Sequence, residues 1–194
     1  MDQKTLAAYD MRATAFADDW HDQPVPDDMH RTVLEHFLTG RTADIGCGSG
    51  RDVAWLATRG FDVIGYDPSE GLLAEARRRY PLLQFASAAL PELANISDGS
   101  FANVLCETVI MHLPRADLGL ALQSLLRILA PGGTLYLSWR VTAGSGERDK
   151  HGRLYTAIDA DQVMQHLRSA ELLFNEQSSS ASSGKTTYRL VLRK

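Results

Sequence analysis

The stretch Thr42-Ala43-Asp44-Ile45-Gly46-Cys47-Gly48-Ser49-Gly50-Arg51-Asp52 constrains this chain more than any other. Ala43 and Ile45 read as a short buried strand. Gly46, Gly48 and Gly50 then form a turn whose backbone can take φ > 0 and which a ligand can approach without meeting a Cβ. A helix starting near Asp52 would aim its N-terminal N–H groups and positive dipole end at that turn. Three glycines in five residues weaken a turn that has no use for them, so a ligand is expected, although an ordinary strand–helix turn is the plain alternative. The spacing bears on which ligand. The dinucleotide fingerprint G-x-G-x-x-G needs a third glycine where this chain has Arg51. Asp44 would also repel a diphosphate and attract a cationic amino group. The turn therefore suits an amino-acid-like ligand better than a pyrophosphate.

The 194 residues are one domain's worth of chain, long enough to bury a full core. A net charge of −4 with no basic block gives a nucleic-acid backbone nothing to attract it. There is no apolar run of signal-peptide or membrane-span length, and Cys47 and Cys106 make neither a disulfide framework nor a zinc site. The expectation is a cytoplasmic monomer or homodimer with two reduced thiols, no bound metal, and no nucleic-acid or membrane partner.

Along the chain, Leu6 to Phe16 has helical spacing, closed by Trp20 through Pro24. A second helix is expected over Asp27–Phe37, capped by Asp27 or Asp28 and ended by Gly40. Strands then alternate with helices: Thr42–Gly46, helix to Arg59; Phe61–Tyr66 ending at Asp67, helix Glu70–Arg79; Leu82–Ala86; Phe101–Cys106, helix Ala116–Leu129; and Thr134–Trp139 after the Pro131-Gly132-Gly133 turn. That order calls for a parallel sheet covered by helices, with ligands beyond the C-terminal strand ends. A helix over Asp159–Ala170 and two strands, Glu171–Gln177 and Thr186–Leu192, joined by a serine-rich loop, end the chain as a hairpin. The units expected are a helical cap (1–40), a cofactor-binding core (41–140), and an acceptor loop, helix and hairpin (141–194).

The D-x-G-x-G-x-G turn resembles motif I of the class I methyltransferases that use S-adenosyl-L-methionine. The resemblance covers about residues 40–140. It implies an α/β fold: a Rossmann-like seven-stranded, mostly parallel sheet of order 3-2-1-4-5-7-6, strand seven antiparallel, with helices on both faces. An acid at the end of strand two, Asp67, can accept hydrogen bonds from both ribose hydroxyls. Alone it indicates only an adenosine-type ligand, and Pro68 also suits it as a helix cap. Its pairing with Asp44 points to S-adenosylmethionine. Cofactor contacts implied are Asp44, Gly46, Cys47, Gly48, Gly50, Asp67, Pro68, Ser69, Leu72, Ser87, Ala88, Glu107 and Thr108, with Tyr9 and Trp20 from the cap unless these are core aromatics. Ser87 stands where the family often carries an acid, leaving an uncharged acceptor for the adenine amino group. A small-molecule acceptor would meet His112, Trp139, Arg140 and Tyr155. His112 is a candidate general base or a structural histidine. The loop Arg140–Arg153 reads as an acceptor lid or a solvated loop. A non-catalytic S-adenosylmethionine or nucleoside sensor, and a nicotinamide oxidoreductase disfavoured by Arg51, are the competing functions.

Overall fold

The computed structural model describes residues 1–142, 144 and 146–194. Seven strands form one sheet in the order β3-β2-β1-β4-β5-β9-β8. They are β1 (Arg41–Ile45), β2 (Asp62–Asp67), β3 (Gln84–Ser87), β4 (Phe101–Cys106), β5 (Leu129–Arg140), β8 (Glu171–Ser179) and β9 (Thr186–Arg193). β1 to β5 pair in parallel, and β9 runs antiparallel to both β5 and β8. This is the expected order and direction.

Helices cover both faces because the central strands are apolar on both sides. Along β4, Val104 and Cys106 face one core and Leu105 the other. The first core is closed by α6 (Leu118–Ile128) and α7 (Ala160–His166), through Leu118, Leu122, Leu125, Val163 and Leu167. The second is closed by α3 (Asp27–His36), α4 (Arg51–Thr58) and α5 (Glu70–Arg79), through Met29, Val33, Val53, Leu56 and Leu73. Between β1 and β4 the strand order reverses, which opens a crevice at their C-terminal ends.

Several local expectations change. The first segment is two helices, α1 (Gln3–Met11) and α2 (Ala13–Asp22), because Arg12 leaves the helical region at φ −128°. Their bend gathers Tyr9, Phe16 and Trp20 into one aromatic cluster on Leu72 of α5. Neither Asp27 nor Asp28 caps α3: both lie within its first turn after Pro26, where their charge suits the dipole. α3 ends at His36, and Phe37 rather than Gly40 is its C-cap. Ser69, not Asp67, caps α5, accepting from the Leu72 N–H at 3.1 Å. Leu82 is exposed, and β3 starts later than expected, at Gln84. The Pro131-Gly132-Gly133 turn lies inside β5, where the register to β4 jumps from Phe101↔Leu129 to Asn103↔Thr134.

The expected loop Arg140–Arg153 contains Ala143 and Ser145, which lie outside the described residues. Its second half is a small hairpin, β6 (Glu147–Arg148) with β7 (Leu154–Tyr155). That hairpin is fastened to α1: Arg148 pairs with Asp2 at 2.9 Å, and the Leu154 N–H donates to the Thr5 hydroxyl at 2.8 Å.

Candidate active site

The crevice between β1 and β4 holds a cavity of about 340 Å³. Its floor is the glycine turn. Gly46, Gly48 and Gly50 all take positive φ, at 79°, 54° and 83°, the left-handed region that favours glycine. At Gly48 a Cβ would stand 2.9 Å from the Trp20 ring, so the cap rests directly on the turn. Arg51, in place of the fingerprint's third glycine, donates to the Trp20 carbonyl at 3.1 Å and so ties α2 to the turn.

Asp67 organises the floor. Its Oδ2 accepts from the Gly48 N–H and its Oδ1 from the Ser69 N–H, each at 2.9 Å. Every carboxylate oxygen has further acceptor capacity, so two hydroxyls can still be taken. Burial pushes its carboxyl up to about 6 despite those hydrogen bonds. Glu107, after β4, accepts from the Ser138 hydroxyl, and burial pushes it to about 7. Asp44 is buried beneath the turn, and its Oδ2 has no hydrogen-bond partner among the described residues. Burial raises it well above the usual carboxylate range, and the nearby Asp52, Asp67 and Glu107 raise it further. A buried group of acids with an orphaned oxygen is a site suited to a cation.

The far end of the cavity has the opposite character. Arg140 stands over the Tyr155 ring at 5.2 Å. Arg153 lies over the rings of Phe16, Tyr9 and Tyr155 at 4.6, 5.4 and 5.6 Å and pairs with Asp149 at 2.7 Å. His112 is buried, with Nδ1 at 2.6 Å from the Leu154 carbonyl and Nε2 at 3.0 Å from the Tyr9 hydroxyl. A carbonyl only accepts, so Nδ1 carries the proton and Nε2 receives the Tyr9 O–H. Burial lowers His112 to about 4, keeping the ring neutral.

Of the expected site residues, the cavity wall brings together Tyr9, Trp20, Gly46, Cys47, Gly48, Asp67, Pro68 and Leu72 with Glu107, Thr108, His112, Arg140 and Tyr155. Six stand elsewhere. Asp44 is buried off the wall, and Gly50, the far residue of the turn, faces Phe85, 2.8 Å from where its Cβ would stand. Ser69 is spent on the α5 cap and on Asp10, at 2.6 Å. Ser87 is exposed at the end of β3, and the Ala88 N–H already faces the Asp67 carbonyl at 3.4 Å. Trp139 is corrected outright: strand alternation turns it into the α6/α7 core, stacked on Tyr188 at 5.0 Å, while its neighbours Ser138 and Arg140 serve the site.

The wall also includes Arg153 and the tip of the β8–β9 hairpin, through Ser180, Ser182, Ser183 and Lys185. Nothing in the serine-rich composition announced that this loop reaches the crevice. Its reach comes from α3: Asp28 accepts from the Ala181 N–H at 3.1 Å and pairs with buried Arg189 at 2.8 Å.

Residues 43–133 match the family described as "Methyltransferase domain". The chain is 29% identical over 154 residues to a ubiquinone biosynthesis O-methyltransferase of Dechloromonas aromatica, covering 77% of this chain and 58% of that protein. It is 36% identical over 127 residues to a trans-aconitate 2-methyltransferase of Methylobacterium nodulans, covering 62% of this chain and 45% of that one. It thus spans about half the length of these relatives. A Burkholderia thailandensis 1,6-didemethyltoxoflavin-N1-methyltransferase, solved with 1,6-didemethyltoxoflavin and S-adenosylhomocysteine, superposes with a TM-score of 0.75 at 19% identity, covering 98% of this chain and 87% of that one. The glycine turn thus lies in a stretch that matches a methyltransferase domain, and the chain has the fold of the solved methyltransferase it superposes on.

Proposed function

We propose that this protein transfers a methyl group from S-adenosylmethionine to a small-molecule acceptor. The observation that carries the reading is the buried acid group under the glycine turn, Asp44, Asp67 and Glu107, beside a cavity at the topological switch point. S-adenosylmethionine carries an ammonium and a sulfonium, so its net charge complements those acids. Asp67 would take the ribose hydroxyls on its remaining lone pairs. The turn's N–H groups and Asp44 would meet the methionine end.

When bound, the cofactor supplies an electrophilic methyl whose leaving group is a neutral thioether. The protein's own task is to hold a nucleophile in line and exclude water. The α1–α2 cap, the β6–β7 hairpin and the β8–β9 tip close three sides of the cavity. The named relatives act on different small molecules, so kinship supports the acceptor's size class and no single compound. A cavity of about 340 Å³ also sits at the small end of ligand sites, about 300–1,000 Å³.

Calorimetry with Asp67→Asn tests the reading. The variant keeps the side chain's size but loses its charge and one acceptor oxygen, so S-adenosylmethionine affinity should fall at least about tenfold. Undiminished affinity in a folded variant would remove Asp67 from the site.

A further inference from the structure

The walls of the cavity divide by charge. Asp52, Asp67 and Glu107 line it around the glycine turn, with Asp44 buried beneath them. The cations Arg140 and Arg153 flank Tyr155 at the far end, and Lys185 reaches in from the hairpin tip. Arg153 already holds Asp149. Arg140 and Lys185 have no carboxylate within ion-pair distance among the described residues, although both line the cavity. A half-buried guanidinium without an anion, beside a second guanidinium, is a carboxylate receptor by geometry.

Among the described residues, the histidine at this end is not a free base. Both ring nitrogens of His112 are engaged, one by the Leu154 carbonyl and one by the Tyr9 hydroxyl. Glu107, at the acidic end, accepts from the Ser138 hydroxyl through Oε2. A phenol or alcohol acceptor has a proton to lose on transfer. A carboxylate has none to lose.

Resting on the reading above, we infer that the acceptor is a small carboxylic acid, bound as its anion by Arg140 with Arg153 and Lys185, and that the product is its methyl ester. A carboxylate oxygen uses its lone pair to form the new O–CH₃ bond. The C–S bond pair departs on sulfur as the thioether, and no proton moves. The anion's charge cancels that of the sulfonium, so the products are an ester and S-adenosylhomocysteine.

The test uses the full chain saturated with S-adenosylhomocysteine and three acid–amide pairs: benzoate, cinnamate and succinate with their amides. Thermal shift and calorimetry read binding. Labelled S-adenosylmethionine reads transfer, because alkali releases the label from a methyl ester as methanol and leaves methyl ethers and amines intact. The expected result is binding of at least one acid over its amide, a loss of tenfold or more in Arg140→Gln, partial retention in Arg140→Lys, and base-labile label. S-adenosylhomocysteine affinity of the variants serves as the folding control. Acids that bind no better than amides, an indifferent Arg140→Gln, or base-stable label would each overturn the carboxylate assignment while leaving the methyltransferase reading intact. A chain that binds neither S-adenosylmethionine nor S-adenosylhomocysteine would overturn both.

Discussion

Asp67 does structural work with a carboxylate that also lines the cavity. Its two oxygens pin Gly48 and Ser69, fixing the turn to the head of α5, and still leave acceptor capacity facing the cavity. The buried acids also give cofactor binding a pH dependence. Burial holds Asp67 near 6 and Glu107 near 7, so both are partly protonated in that window. A cationic ligand favours their ionised forms, so binding must expel protons. S-adenosylmethionine affinity should therefore rise as pH increases from about 5.5 to about 7.5 and then level off. Calorimetry at pH 6.5 in two buffers of different ionisation enthalpy should show net proton release, and a pH-independent affinity would contradict the assignment. At this scale the sequence was legible wherever chemistry and spacing coincide: Asp44, the glycines and Asp67 stand out on a bare chain. Ser138, Asp10 and Arg153 did not, because their importance comes from neighbours distant in sequence. Trp139 misled because only strand phase decides which side of β5 it faces.

Among the elements, the cap and the core differ in how firmly they are held. The core elements share two large buried clusters, whereas α1 and α2 rest on a small one built from Ala13, Phe16 and Leu72. Amides of α1 and α2 should exchange faster than those of β1 and β4, and S-adenosylmethionine should slow them. Since Trp20 lies on Gly48, the ligand should change indole emission, and Trp20→Phe should abolish that change although Trp55 and Trp139 remain. An unaltered signal in the variant would locate the response elsewhere. At the opposite end of the sheet, Asn103 is fully buried and joins β4 to the approach to β1, bonding the Leu38 N–H and carbonyl at 2.8 Å and the Thr42 hydroxyl at 3.0 Å. Asn103→Ala strands those groups and should cost about 2 kcal/mol, or roughly 4–8 °C in Tm, by calorimetric melting. The alternating strands and helices of the core were readable from hydrophobic period. The break at Arg12 was not, since no glycine or proline marks it, and neither was the docking of the serine-rich tip, which depends on the Asp28–Arg189 pair.

At the scale of the molecule, the order of connections creates the site. Chain reversal between β1 and β4 leaves one crevice where the ends of two strands, the cap and two hairpins converge. Alternation of strands and helices predicts a parallel sheet, and the resemblance to a known family supplied the strand order that periodicity alone does not. The polarity of the cavity, acids at the turn and guanidiniums at the far end, became visible only once residues 44, 107, 140 and 153 were brought together. Ligand linkage follows: S-adenosylmethionine at a hundredfold over its Kd should stabilise the fold by about 2.7 kcal/mol, raising Tm by roughly 5–10 °C, and NAD should not. The most direct measurement is a crystal structure of the protein grown with S-adenosylhomocysteine. The account predicts the ribose hydroxyls on Asp67, the amino-acid end over Gly46–Gly48 above Asp44, and the sulfur facing Arg140 and Tyr155. A ligand bound elsewhere, or a crevice filled by the cap's own rings at saturating S-adenosylhomocysteine, would contradict it.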